Sequence, residues 1–156
     1  MRPSPVITAV VTAALATLLL AGCGGAPEVT DEIGLTSVSF PNGTRVNAET
    51  MRSDIELLKG MMFRDALPSG RGMLFIHPEE KIYHYWMYQT KIPLDIIWMD
   101  HDRRIVEMSV DTPPCKSASA KDCFNYGGHF ASKYVLEVNA GVAKKNGLAA
   151  GDTLIF

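Results

Sequence analysis

The chain has 156 residues, 15 of them Lys or Arg and 17 Asp or Glu, with a formal net charge of −2 at pH 7. Its longest basic cluster is Lys144-Lys145, so it lacks the basic stripe typical of nucleic-acid-binding proteins, and no nucleic-acid partner is predicted. The weakly acidic balance also argues against electrostatic docking onto anionic lipid. Beyond the leader and linker described next, about 120 residues remain, enough for one domain with its own core.

Residues 1–22 have the pattern of a lipoprotein signal peptide. Residues 6–21 form an uncharged run of 16 residues, close to the h-region of a cleaved signal, whereas a spanning helix needs about 20 apolar residues. The run ends in Leu20-Ala21-Gly22-Cys23, which resembles the bacterial lipobox. We therefore expect cleavage before Cys23 and a membrane anchor through acyl chains on that cysteine. An uncleaved transmembrane anchor is the alternative.

The residue after Cys23 indicates to which membrane a lipoprotein is delivered. It is Gly24 and not Asp, and the lipobox resemblance then implies the outer membrane, facing the periplasm, if the host has two membranes. Residues 23–34 are small, polar and acidic, which predicts a lipidated flexible tether. Residues 35–156 are left as a single β-rich domain.

The domain begins with a predicted hairpin and a short helix. Extended runs at 36–40 and 45–48 flank an Asn42-Gly43 turn, the strongest short hairpin signal. Residues 53–56 (SDIE) form a capping box. They predict a helix over residues 54–59 that ends at a left-handed Gly60.

Strands dominate the remainder. A turn is predicted at residues 101–103, and a second short helix follows residues 139–141 and ends at Gly147. Apolar, aromatic or alternating runs predict further strands at residues 72–76, 81–87, 94–99, 104–110, 133–138 and 153–156. About eight strands and two short helices indicate a mainly β fold, an antiparallel β-sandwich or barrel-like domain.

Cys115 and Cys123 remain once Cys23 is assigned to lipid. Outside the cytoplasm, two thiols in one polar loop usually form a disulfide. Their C-x7-C spacing differs from the C-x-x-C of thioredoxin-like enzymes, so a structural bridge is favoured over a redox pair.

Four segments, which follow one another along the chain, carry a resemblance to one family. They are GMMFR at 60–64, GMLFI at 72–76, WMYQTKIPLDIIWMD at 86–100 and YVLEVNAG at 134–141. They closely resemble the bacterial and archaeal family of domains of unknown function numbered 192, over residues 36–156. The chain departs from the family pattern at its capping box and at residues 88–90, YQT in place of the usual Lys-Asn-Thr. The resemblance implies a compact β-rich, jelly-roll-like fold and no established activity.

Asp95 is the leading candidate for a functional side chain. Alternation along residues 94–99 places Asp95 with Ile97 and Met99 on one face. Both faces are apolar, and a buried carboxylate must be hydrogen-bonded, paired or protonated. One interpretation makes Asp95 a ligand-binding residue grouped with Arg64, Trp86, Gln89 and Thr90. The alternative is a structural carboxylate that pairs with Arg64 or accepts backbone N–H groups of residues 89–92.

Other chemistry has weaker support. Tyr83, Tyr85, Trp86 and Trp98 could line a binding surface or belong to the core. The four histidines have no metal-ligand spacing, and neither a nucleophile elbow nor a phosphate loop occurs, so no metal or cofactor is predicted. Asp95 with Glu107 or Glu137 is a conceivable carboxylate pair for glycan cleavage.

Three functions therefore stay open. The first is a non-catalytic binding module at the cell envelope, presenting a pocket around residues 86–95 to a small molecule, glycan or envelope protein. The second is a hydrolase of envelope glycan or peptide that uses Asp95 and a second carboxylate. The third is a structural accessory lipoprotein. Two carboxyl groups within about 5–10 Å in one cleft favour the hydrolase, and a single carboxylate beside aromatic rings favours binding.

Overall fold

The computed structural model describes residues 34–156. The expected signal peptide, Cys23 and all but the last residue of the tether lie outside the described residues, so cleavage and lipid attachment stay predictions. Within the described part, no helix is long and apolar enough to cross a membrane.

The domain is built on one six-stranded sheet and two short helices. In chain order the elements are β1 (Leu35–Ser39), β2 (Arg45–Met51), α1 (Asp54–Lys59), β3 (Arg71–Trp86), β4 (Leu94–Met99), β5 (Ile105–Thr112), a single 3₁₀ turn (Ala120–Asp122), β6 (Asn125–Asn139) and α2 (Val142–Lys145). The mainly β prediction with two short helices is confirmed.

The strands lie in the order β1-β2-β3-β6-β4-β5. Neighbouring strands are antiparallel except β2 and β3, which are parallel, because the chain returns through α1 between them. The sheet is therefore mixed, where purely antiparallel pairing was predicted. It is not closed, and neither a two-sheet sandwich nor a jelly roll is confirmed.

β3 and β6 are longer than predicted. The expected strands at residues 72–76 and 81–87 are one 16-residue strand, and residues 133–138 are only the second half of β6. The pairing of β3 with β6 shifts register between Ile76 and Lys81. The predicted last strand makes only isolated bridges, Ser39 with Ile155 and Arg104 with Thr153.

Helix α1 has the predicted bounds and cap. The Glu56 N–H donates to Ser53 Oγ, and the Ser53 N–H donates to the Glu56 carboxylate at 2.9 Å. Gly60 has a φ of 41° and a ψ of −127°, so its φ is positive but the predicted left-handed helical geometry is wrong. A Cβ at Gly60 would lie 2.9 Å from the Phe75 ring, so glycine lets the helix end pack closely against β3.

Both faces of the sheet carry a hydrophobic core. β4 is buried along its whole length, and alternate residues of β3, β4 and β6 point to opposite faces. The first face includes Leu74, Ile97 and Leu136, and α2 packs there through Ala143. The second includes Phe75, Trp98 and Val135, with Met61 from the segment after α1.

The predicted disulfide is present, joining Cys115 to Cys123. It closes the loop between β5 and β6, and Cys115 packs against the core of the second face.

Candidate functional site

Asp95 is fully buried and both of its carboxylate oxygens accept backbone hydrogen bonds. The Asp111 N–H donates to Oδ1 at 2.9 Å, and the Ala143 N–H donates to Oδ2 at 2.8 Å. Ala143 lies in the first turn of α2, so the carboxylate joins β4 to the end of β5 and to that helix. The side chain thus has the structural environment considered above, although its partners are neither Arg64 nor residues 89–92.

The other candidate residues do not converge on Asp95. Arg64 forms a two-pronged ion pair with Glu49, at 2.7 and 2.8 Å. Gln89 and Thr90 line a cavity of about 300 Å³ beside the disulfide loop. Trp86 and Thr90 line a different cavity, on the second face of the sheet. The structure therefore does not bring the five predicted residues together as one site.

The proposed carboxylate pairs with Asp95 are also not formed. In the sheet register, Glu137 of β6 lies opposite Ile96, and Glu107 of β5 lies opposite Trp98. Ile96 and Trp98 alternate with Asp95 along β4, so both glutamates project from the face opposite Asp95. Neither glutamate can share a substrate atom with it.

A cavity of about 290 Å³ lies on the second face, between the sheet and the segment containing α1. We call it the Glu137 pocket. Its helix side is formed by residues 57–62, and β6 contributes Asn125 and Glu137. The wall contributed by β3 is largely aromatic and consists of Phe75, His77, Tyr83, His84, Tyr85 and Trp86.

Glu137 is the unusual side chain of this pocket. It is only 4% exposed, and its Oε2 is buried without a hydrogen-bond partner. Burial raises the pKa of Glu137 to about 8, although the Arg64 guanidinium acts in the opposite direction. The carboxyl group is therefore mostly protonated and uncharged at pH 7.

The aromatic wall is held by a small network. The Tyr85 hydroxyl lies 3.1 Å from His77 Nε2, and the His77 ring stacks on Tyr83 with ring centres 3.5 Å apart. Burial, with a smaller effect of the Lys133 charge, lowers the pKa of His77 to about 4. Burial and Glu137 raise the pKa of Tyr85. At neutral pH both groups are uncharged, so neither adds a charge to this wall.

The sequence around Glu137 has the pattern of a buried carboxyl group. This residue is a lone charge in Val135-Leu136-Glu137-Val138, and strand alternation places it on the same face as Val135. His77 lies between the two strands predicted at residues 72–76 and 81–87, whereas the structure places it within β3. Among residues 34–156, no group of three or more His, Cys, Asp or Glu side chains is arranged to hold a metal ion.

The family comparison concerns the same part of the chain. The model of the domain-of-unknown-function family 192, described as "Uncharacterized ACR", matches residues 37–156. A crystal structure of a protein of unknown function from Novosphingobium aromaticivorans is 29% identical, with a TM-score of 0.67 over 85% of this chain and 94% of that one. A proposed transcription regulator from Sinorhizobium meliloti is 26% identical, with a TM-score of 0.66 over 76% of this chain and 89% of that one. The comparison with curated proteins found no match.

Proposed function

Because the chain belongs to the domain-of-unknown-function family 192, and a fold alone supplies no activity, we propose its function from the pocket: the domain binds a small molecule at Glu137. The observation that carries this proposal is the buried Glu137 Oε2 without a partner, at the wall of a cavity. An unsatisfied buried polar atom costs about 1–3 kcal/mol. A ligand that bonds to it would remove that cost.

The size and lining of the pocket favour a small ligand over a polymer segment. Its volume of about 290 Å³ is near the lower end of the range for small-molecule sites, roughly 300–1,000 Å³. Such sites combine apolar and aromatic walls with few polar groups. The Glu137 pocket has this character, with Phe75, Tyr85 and Trp86 on one side and Leu57 and Met61 on the other.

The same lining favours binding over hydrolysis by paired carboxylates. That mechanism needs two carboxyl groups flanking the scissile bond. Within residues 34–156, the lining of the pocket contains a single carboxyl group, that of Glu137. A binding module therefore accounts for the geometry better than a glycan hydrolase.

We further propose that the chain works at the cell envelope as a lipoprotein anchored through Cys23. The lipobox-like Leu20-Ala21-Gly22-Cys23 supports this. A disulfide between Cys115 and Cys123 supports export, because such bonds persist in oxidising compartments. The acyl chains on Cys23 would insert into the membrane, and the pocket would be open to the aqueous compartment beside it.

A thermal-shift screen tests the binding proposal. The full-length chain, in a neutral sugar-headed detergent, is melted with small amines, acids, neutral aromatics, short glycans and peptides. A ligand at 100 times its Kd stabilises the fold by about 2.7 kcal/mol, which raises Tm by several degrees.

Two variants on α1 locate the site of any hit. Leu57→Trp fills the pocket, because Leu57 lines it, whereas Ile55→Trp is a matched control at a position that is 78% exposed and outside the lining. The shift should disappear in Leu57→Trp and persist in Ile55→Trp. Hits that stabilise both variants equally, or a screen without hits, contradict the proposal.

A further inference from the structure

We infer that the Glu137 pocket takes an organic ammonium ion, whose N–H group bonds to Glu137 and whose apolar body lies against the aromatic wall. This inference rests on the proposed function and adds the chemical class of the ligand. It stands on three features of the pocket: an unpartnered carboxyl oxygen, ring faces beside it, and the local balance of charge.

The first feature is the position of the free oxygen. A Cβ built on Gly60 would lie 3.8 Å from Glu137 Oε2 and 2.9 Å from the Phe75 ring. The oxygen therefore lies close to the packed contact between the end of α1 and the Phe75 ring, and Gly60, Phe75 and Glu137 all line the pocket. An ionised carboxylate can only accept hydrogen bonds, so the complementary ligand group is an N–H donor, and a charged one makes the stronger bond.

The second feature is the aromatic wall. Phe75 and Tyr85 pack edge to face with ring centres 5.2 Å apart, and both line the pocket with Trp86. A cation within about 6 Å of a ring centre is attracted by the negative ring face. A carboxylate in a pocket lined by rings thus suits an ammonium group better than a neutral alcohol of the same shape.

The third feature is the charge around Glu137. The Arg64 guanidinium lowers the pKa of Glu137. Its Nη1 and Nη2, however, both donate hydrogen bonds to the Glu49 carboxylate. His77 is uncharged at neutral pH because burial lowers its pKa. Glu137 is the only carboxyl group among the described residues that line the pocket, and Lys59, the cation of that lining, is exposed to solvent. The charged and titratable groups around the pocket are Lys59 from α1, Arg64 after it, Glu49 from β2, and His77, Tyr83, His84 and Tyr85 from β3.

Proton release follows from this arrangement. Burial raises the pKa of Glu137 to about 8, and a cationic ligand binds its ionised form. Binding at pH 7 should therefore release roughly one proton. The apparent affinity scales with the ionised fraction, so it should rise about fifty-fold between pH 6 and pH 8.

Calorimetry with three matched probes tests the inference on the full-length chain in neutral detergent. The probes are phenethylammonium, 2-phenylethanol and 3-phenylpropionate, which share a phenyl ring and differ in charge. The cation should bind at least tenfold more tightly than the alcohol at pH 7. Two buffers with different ionisation heats should reveal the released proton.

Variants separate the carboxylate from the pocket. Glu137→Gln should weaken the cation at least tenfold, abolish the pH dependence and leave the alcohol unaffected, with a Tm no lower than that of wild type at pH 8. Glu79→Gln, at an exposed position of β3, should behave as wild type.

Equal binding of cation and alcohol, or a cation that binds Glu137→Gln as well as wild type, overturns the ammonium assignment. Failure of all three probes also overturns it. The proposed function is tested separately by the thermal-shift screen. It is contradicted only if the screen finds no compound whose binding is lost in Leu57→Trp.

Discussion

Replacing Glu137 with Gln should change how the stability of the fold depends on pH. Gln has nearly the same shape but cannot ionise. In the folded protein the pKa of Glu137 is raised from 4.5 to about 8, so between these values the folded state keeps a proton that the unfolded chain has released. The free energy of unfolding of wild type should therefore fall as pH rises through this window.

The size of the effect follows from the two pKa values. One pKa unit corresponds to about 1.36 kcal/mol, so the difference between 4.5 and about 8 amounts to roughly 5 kcal/mol above pH 8 and about 3 kcal/mol at pH 7. This is a large part of the 5–15 kcal/mol typical of a domain. The Gln amide adds its own burial cost, about 1–3 kcal/mol, but that cost does not vary with pH.

Urea unfolding of both proteins without reductant, from pH 4.5 to pH 9, measures the difference. The stability of Glu137→Gln relative to wild type should rise steadily across the window. His77 has the opposite dependence, because its lowered pKa of about 4 removes stability as pH falls below 6.5, but both proteins share it. The control Glu79→Gln should not rise in this way, since contact with Lys81 lowers the pKa of Glu79. If the difference in unfolding free energy between Glu137→Gln and wild type stays constant between pH 5 and pH 8, the conclusion that the buried Glu137 carboxyl is uncharged is refuted.

Three further predictions concern other residues. Asp95→Asn should lower the free energy of unfolding by about 2–5 kcal/mol, because the Asp95 carboxylate accepts hydrogen bonds from two backbone N–H groups. Urea unfolding measures this beside the exposed control Asp102→Asn. Equal stability of the two variants would contradict the structural role of Asp95. Replacing Cys115 and Cys123 together with Ser should cost about 2–3 kcal/mol for so short a loop, and intact mass after alkylation of the native wild type should detect neither thiol. Cys23→Ala should yield unprocessed or released protein, while wild type partitions into detergent with added acyl mass; wild type recovered in the aqueous fraction without that mass would exclude the anchor.

Features fixed by neighbouring residues were predictable from the sequence. The capping box sets the bounds of α1, and the apolar run at Leu94–Met99 is β4 as expected. The Asn42-Gly43 turn also forms where predicted, with the Gly43 N–H donating to the Phe40 carbonyl. Each of these depends on contacts within a few positions of the chain.

Features that depend on distant pairing were not predictable in this way. Pro78 lacks an N–H and is followed by two glutamates, so residues 77–80 have the pattern of a loop. In the structure β3 continues through them, and the shift in its pairing with β6 accommodates the interruption. The parallel pairing of β2 with β3 is equally non-local, since nothing in either strand specifies the direction of its neighbour.

The contrast between Asp95 and Glu137 follows the same division. Each is a lone carboxyl group in a buried apolar strand, so alternation alone gives them the same interpretation. The face that contains Asp95 also receives the first turn of α2, whose Ala143 N–H stabilises the carboxylate. The face that contains Glu137 receives Gly60 and the Phe75 ring, and neither satisfies Oε2. Which helix covers which face is decided by the fold, so the free carboxyl oxygen, and with it the candidate site, is recognised only once both faces are compared.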